Sequence, residues 1–261
     1  MNRITDFREK LILITGGSSG IGLATADKLI KKGSRVVILA RDERKLKKAS
    51  KKLGKKCDHR SVDILNIEDL NRAKEWIIDE HGAPDIIVNS AGFVHPGRLE
   101  DLTDEQIDRM IDINLKGTIN VCRTFVPEMR SPGHVVNVSS PVGFMGVYGY
   151  SVYSASKFGV DGFSESIRME LKRNGIGVSV VYPPDTKTPQ LDYENRYKPE
   201  ETKRITGTID PVDPEVVADS IIEGIKRNRF HVYPTFSIGL VHFAVRHFPG
   251  AVRWWMDRKV V

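Results

Sequence analysis

Five short runs rich in valine and isoleucine recur along the chain: Leu11 to Thr15, Arg35 to Ala40, Asp85 to Asn89, His134 to Ser139 and Gly177 to Tyr182. Near-continuous apolar runs of this length are what strands buried on both faces of a parallel sheet look like. Between them lie longer segments of helical period: Ile21 to Lys32, Arg44 to Leu53, Ile67 to His81, Glu105 to Met129 and Tyr153 to Arg173, with a further helix over Pro214 to Arg227. Several end at a glycine (Gly33, Gly54, Gly82, Gly175), as helix C-termini prefer. Repeated strand–helix units require right-handed crossovers, so the expected fold is α/β: a single-domain, Rossmann-type doubly wound parallel sheet with helices on both faces. In such sheets ligands bind beyond the strand C-termini, at the point where strand order reverses.

The first strand runs directly into Thr15-Gly16-Gly17-Ser18-Ser19-Gly20-Ile21-Gly22 and then a helix. Glycine lets backbone approach a pyrophosphate closely, and the N–H groups of a helix start favour an anion. Four glycines in eight residues exceed what a plain turn requires, although the spacing departs from G-x-G-x-x-G. The second strand ends at Ala40-Arg41, where an acidic residue would hold the ribose of NAD. Arg41 instead suits a 2′-phosphate through paired charge-assisted bonds, with Lys45 one turn further on, so NADPH/NADP is the expected cofactor. Asp42 keeps an alternative open, since it would serve the ribose if the register slips by one.

Tyr153-Ser-Ala-Ser-Lys157 places a phenol and an ammonium four residues apart on one helix face. A free phenol titrates at about 10, and a positive charge at ~4 Å in an effective dielectric of about 20 contributes about 4 kcal/mol, or about three pK units. A phenol near neutrality is the expectation.

Taken together, Thr15 to Gly22, Asn89-Ser-Ala-Gly92, Asn114, Ser140 and Tyr153-x-x-x-Lys157 resemble the short-chain dehydrogenase/reductase family in order and spacing, over about residues 10 to 228. The resemblance implies an NADP(H)-dependent oxidoreductase acting on CH–OH/C=O groups. It assigns Asn114, Ser140, Tyr153 and Lys157 as catalytic: Tyr153 as proton donor in reduction, Ser140 orienting the substrate oxygen with Ser139 pointing away, Lys157 holding the nicotinamide ribose, and Asn114 supporting a proton-relaying water. Cofactor contacts are expected from Gly16, Ser18, Ser19, Gly20, Ile21, Gly22, Arg41, Lys45, Asp63, Ile64, Asn89, Ala91, Gly92, Tyr153, Lys157, Pro183, Thr186 and Thr188. Two departures stand out. Ser90 replaces the usual second Asn, and Pro183-Pro184 replaces Pro-Gly, which fixes φ and predicts a stiffer loop over the nicotinamide.

After the last of the five strands, Tyr182-Pro-Pro-Asp-Thr-Lys-Thr-Pro189, Glu194-Asn195 and Lys198-Pro-Glu-Glu-Thr202 are similar to the branch that reduces 3-ketodihydrosphingosine. A 3-keto sphingoid base or another long-chain 3-oxo lipid is thus the leading substrate. Oxidation of a steroid, retinoid or other secondary alcohol, and a non-catalytic NADP(H)-binding regulator or membrane-associated scaffold, are the alternatives; the complete catalytic set argues against the last.

Residues 1–230 are expected to form the catalytic domain and 231–261 a dependent tail. The tail from Phe236 mixes Phe243, Phe248, Trp254 and Trp255 with Arg246, His247, Arg253, Arg258 and Lys259, and Pro249-Gly250 must interrupt any single helix in it. Two readings stay open: an interfacial membrane segment, or a subunit interface or pocket cover. The net charge of +6 with a pI near 9.2 comes largely from helix-like stretches such as Lys45 to Lys56, without a nucleic-acid motif, so no nucleic-acid partner is expected. Cys57 and Cys122 lie far apart, and no metal-ligand spacing occurs; His242 and His247 read as packing or surface residues. With a polar, charged Met1 to Lys10 and no membrane-length apolar run, the expected location is cytoplasmic, with peripheral membrane contact through the tail as the variant. The resemblance also implies a homodimer or homotetramer.

Overall fold

The computed structural model describes residues 3–260, so the expectations for Met1, Asn2 and Val261 lie outside the described residues. Seven parallel strands form one sheet in the order β3-β2-β1-β4-β5-β6-β7. They are β1 (Leu11–Thr15), β2 (Arg35–Ala40), β3 (Cys57–Ser61), β4 (Ile86–Asn89), β5 (Gly133–Val138), β6 (Ile176–Val181) and β7 (His231–Val232).

Alternation along the strands divides the core into two layers. Ile12 and Ile14 of β1, Val36 and Ile38 of β2, and Ile86 and Val88 of β4 pack on one side against Leu29 and Leu46 and against Ile221 and Ile225. These come from α1 (Gly20–Lys31), α2 (Glu43–Leu53) and α9 (Pro214–Arg227). Leu11, Leu13, Val37, Leu39 and Ile87 face the other way, onto Leu70 and Ile77 of α3 (Ile67–His81) and Val121 and Phe125 of α5 (Gly117–Phe125). Both faces are thus apolar, which is why these strands read as continuous rather than alternating. At the sheet base Asp85, 1% exposed, accepts bonds of 2.9 Å from Lys10 Nζ and from the Leu11 N–H, so a buried charge joins β1 to β4.

Strands β3 and β7 carry no apolar run and were not expected from the sequence. Cys-Asp-His-Arg-Ser of β3 lies at the sheet edge and is only partly covered, while β7 is a two-residue edge strand beside β6. The helix expected over Glu105 to Met129 is also broken. It resolves into α4 (Asp104–Ile111), a π turn over Asp112–Lys116, α5, and a 3-10 turn over Val126–Glu128. Thr103 and Gln106 cap α4 reciprocally. Single π turns inside helices recur at functional sites, and this one contains Asn114.

Beyond β6, the proline-rich stretch folds into α7 (Pro189–Tyr197) and α8 (Glu200–Thr206). The tail forms α10 (Phe236–His247) and α11 (Pro249–Val260), with the break at Phe248-Pro249 where proline removes the donor a continuing helix needs. No helix among the described residues is long and apolar enough to cross a membrane.

Candidate active site

Strand order reverses at β1, whose neighbours are β2 and β4, so the loops after β1 and β4 meet at the C-terminal edge. Thr15 Oγ1 accepts from the backbone N–H groups of Ser90 and Ala91 at 3.2 and 3.3 Å and ties the two loops together. Gly16 has φ +68°, and a Cβ there would stand 2.8 Å from the Ala91 N and Ser90 O atoms; no side chain fits. Gly20, at φ +54°, opens α1, whose N-cap Ser19 makes no side-chain cap bond.

This crevice widens into a cavity of about 1130 Å³. That exceeds the ~300–1,000 Å³ of a pocket for one small ligand and leaves room for a dinucleotide and a substrate. Most of the expected cofactor residues line it: Gly16, Ser18, Ser19, Gly20 and Ile21 from the first loop; Arg41 and Lys45 after β2; Asp63 and Ile64 after β3; Ala91 and Gly92 after β4; and Pro183, Thr186 and Thr188 after β6. The glycine cradle and this wall fit a dinucleotide.

Two expected cofactor contacts, Asn89 and Gly22, and the expected catalytic residue Asn114 lie elsewhere. Asn89 is buried between β4 and β5, where its Nδ2 donates to Asn137 Oδ1 at 2.8 Å, so it fastens strands. Gly22 belongs to the packing of α1 against its own loop, since a Cβ there would meet Gly16 O at 2.6 Å. Asn114 sits behind the wall. Its Oδ1 accepts from Phe93 N and its Nδ2 donates to Phe93 O, both at 2.8 Å, and to Ser156 Oγ at 3.0 Å, which commits both amide protons to protein partners. In this geometry the amide shapes the Gly92-Phe93 backbone rather than facing the cavity.

Asp42, the alternative ribose partner, caps α2 by accepting from the Lys45 N–H at 3.1 Å. Its carboxylate is held below the usual range by that bond.

The helix α6 (Ser151–Leu171) carries Tyr153 in its first turn, and Lys157 follows one turn on. Both are buried and line the cavity beside Ser140, which follows β5. Lys157 Nζ donates to Val138 O at 2.9 Å and lies 5.7 Å from the Tyr153 ring centroid. The Ser140 side chain lies close enough to the Tyr153 phenol to favour its ionised form. Ser139 also lines the cavity, but its Oγ donates to Lys157 O at 3.4 Å.

The phenol near neutrality expected from a Tyr–Lys pair is not found here. Burial raises Tyr153 first, the charge of Glu194 raises it further, and Ser140 works in the opposite direction. Burial equally lowers Lys157 to about 8, with Asp161 and Glu194 favouring its charged form. Burial of the phenol and the nearby Glu194 thus outweigh the charge of Lys157 at Tyr153 in the free protein.

Residues to which no catalytic or cofactor role was assigned complete the cavity, Asp185 and Glu194 among them from the stretches that resemble the sphingoid branch. Tyr150, Asp185 and Glu194 stand near Tyr153, with Tyr150 Oη donating to Glu194 Oε2 at 2.8 Å. Val142, Val147, Leu191 and Ile205 extend an apolar wall, and Ile238, Val241, Ala244, Val252 and Met256 of α10 and α11 close it. The tail is thus a pocket cover on its inner side, while Phe236, Leu240, Phe243 and Trp254 remain exposed on its outer side. His242 packs within the protein, its ring stacked 4.4 Å from Phe144 and hydrogen-bonded to Tyr233. The mixed sequence of the tail signalled two faces, but not which one turned inward.

Comparison with known proteins agrees with this geometry. The chain is 36% identical over 230 residues to the 3-ketodihydrosphingosine reductase of Bos taurus, covering 84% of this chain and 69% of that protein. It is also 36% identical to a 3-dehydrosphinganine reductase of Arabidopsis thaliana, over 85% of this chain and 68% of the relative. A short chain dehydrogenase/reductase from Burkholderia phymatum, solved in complex with NAD, superposes with a TM-score of 0.83 at 22% identity, covering 96% of this chain and 97% of that one, which speaks to the fold alone. The apo form of LigD from Sphingobium superposes with a TM-score of 0.78 at 30% identity, over 95% and 98% of the two chains. With the short chain dehydrogenase family description matching residues 10–198, the chain belongs to that family and is an oxidoreductase acting on a C=O/CH–OH group with a nicotinamide dinucleotide.

Proposed function

We propose that this protein is an NADPH-dependent reductase of 3-ketodihydrosphingosine or a similar long-chain 3-oxo lipid. The observation that carries the reading is one continuous cavity, polar at Ser140 and Tyr153 and apolar from Val147 to α10 and α11, in a chain most of whose length matches 3-ketodihydrosphingosine reductases. When bound, the nicotinamide supplies the hydride. Ser140 Oγ and Tyr153 Oη then donate to the carbonyl oxygen, and Tyr153 releases its proton to the alcohol being formed. Lys157 favours the resulting phenolate with its charge, and its Nζ is anchored on Val138 O. Asn114 keeps the Gly92-Phe93 wall in place.

Arg41 and Lys45 line the cavity after β2 and are the cations placed to meet a 2′-phosphate, while Asp42 beside them caps α2 through Oδ1. Purified protein is expected to oxidise NADPH with 3-ketodihydrosphingosine in mixed micelles, and NADH far more slowly. Arg41→Ala should narrow that preference by about ten- to hundred-fold, the worth of hydrogen bonds to a charged group. Equal use of both cofactors by the unaltered protein would remove the 2′-phosphate assignment. Turnover of short ketones with none of the lipid would remove the substrate.

Two further expectations belong to this reading. The outer rings of the tail, Phe236, Phe243 and Trp254, lie near Arg246, Arg253 and Arg258 in sequence, and we place them against an anionic lipid surface from which the substrate enters. Self-association through α4, α5 and α6 is proposed as well, since α6 exposes Phe158 and Met169. Light scattering should return a dimer or tetramer mass; a monomer would reject this.

A further inference from the structure

Glu194 is a buried carboxylate on the wall of the reaction cavity, 9% exposed, in the same chamber as Ser140 and Tyr153. Burial pushes its carboxyl above the usual range, and the counter-charge on this side, Lys198, is distant and shared. Tyr150 Oη donates to Oε2 at 2.8 Å, and Gln190 Nε2 reaches Oε1 at 3.5 Å; both are neutral. The cation on this side, Lys198, is 2% exposed and bonds Asp185 Oδ2 at 2.6 Å, while its distance to Glu194 Oε2 is 4.0 Å. Across the chamber Lys157 is shared between the fields of Asp161 and Glu194. Three carboxylates, Asp161, Asp185 and Glu194, thus stand around two ammonium groups.

Such an arrangement costs free energy in the folded protein, because a buried charge that shares a distant partner is poorly compensated. It also works against the reaction. A negative charge beside Tyr153 opposes the phenolate that must form when the proton is delivered, and Glu194 does raise the phenol. Both penalties vanish if a cation arrives with the substrate. A 3-keto sphingoid base carries a primary amine on the carbon adjacent to its carbonyl, so placing the carbonyl oxygen at Tyr153 and Ser140 brings an ammonium group into this chamber.

We propose that Glu194 is the specificity-determining residue that receives the substrate's ammonium group beside the reacting carbonyl. The proposal rests on the sphingoid reading above and deepens it. The partner side chains have matching roles: Tyr150 orients the carboxylate through Oε2, Lys198 bonds Asp185, and Oε1 carries only the long contact from Gln190 and keeps acceptor capacity for the ligand.

The test compares kcat/KM for 3-ketodihydrosphingosine and for its deaminated counterpart, a 1-hydroxy-3-ketone of the same chain length, in the unaltered protein and in Glu194→Gln. Glutamine keeps the size and still accepts from Tyr150, so the exchange removes charge alone. The amine-over-deaminated ratio should fall by about ten- to hundred-fold in the variant, as expected for a lost charge-assisted contact. Should Glu194→Gln fold poorly, the unaltered protein provides the second reading: a long-chain primary amine should inhibit competitively at ten-fold or lower concentration than the alcohol of equal length. A ratio that survives the substitution, or equal inhibition by amine and alcohol, overturns the ammonium site and leaves the reductase reading standing. No turnover of either long-chain ketone beside active short ketones overturns the substrate reading, and the site with it.

Discussion

Tyr153→Phe should lower kcat for ketone reduction by about two to four orders of magnitude while KM for the ketone changes far less, because only the proton delivered in the transition state is lost. The ring of phenylalanine preserves the packing against Tyr150, whose ring centroid is 5.6 Å away, so a collapse of the site does not account for such a loss. Burial and Glu194 keep the phenol protonated well beyond neutrality, which suits a donor. The pH profile follows from Lys157. Its ammonium is lowered to about 8 by burial, so it is charged below that value and neutral above it. Reduction should therefore decline as pH rises through about 8, since the phenolate that remains after proton delivery then lacks its cation. Steady-state kinetics across pH 6 to ~10 would check both statements. Undiminished turnover in Tyr153→Phe would discard the assignment of the acid.

The second large effect concerns the roof. Val241 of α10 and Val252 of α11 face the cavity, and aspartate at both positions would place charge along the path of an alkyl chain. If the roof covers about four methylenes at ~0.8 kcal/mol each, the loss is about 3 kcal/mol, or about a hundred-fold. The ratio of kcat/KM for a long-chain over a short-chain ketone should fall by that factor in Val241→Asp/Val252→Asp. An unchanged ratio would show that the chain leaves the cavity by another route. The same experiment separates the inner face of the tail from its outer face, where Phe236 and Trp254 do not line the cavity.

Much of this protein was legible in one dimension because its central strands are buried on both sides. A fully covered strand must be apolar along its length, so β1, β2, β4, β5 and β6 announce themselves, and the glycines between β1 and α1 mark where backbone approaches backbone. Edge strands are under no such demand. Cys-Asp-His-Arg-Ser of β3 is held by its ladder to β2 rather than by its composition, and no local signal distinguishes it from a loop. The break of the expected long helix at Asp112–Lys116 is likewise a tertiary matter, since the amide of Asn114 satisfies the Phe93 backbone there.

At the site, the sequence by itself determined the residue types that meet, because a tyrosine and a lysine four apart on a helix share a face whatever surrounds them. Only the tertiary structure decided their electrostatics. Burial, and a carboxylate from α7 forty-one positions after Tyr153, set the phenol's proton affinity against the lysine between them. Proximity in space, which carries both desolvation and Coulomb energy, is not written in the spacing of residues along the chain. The same holds for α10 and α11: their sequence prescribes two apolar faces, and the choice of which one covers the cavity belongs to the packing of the whole.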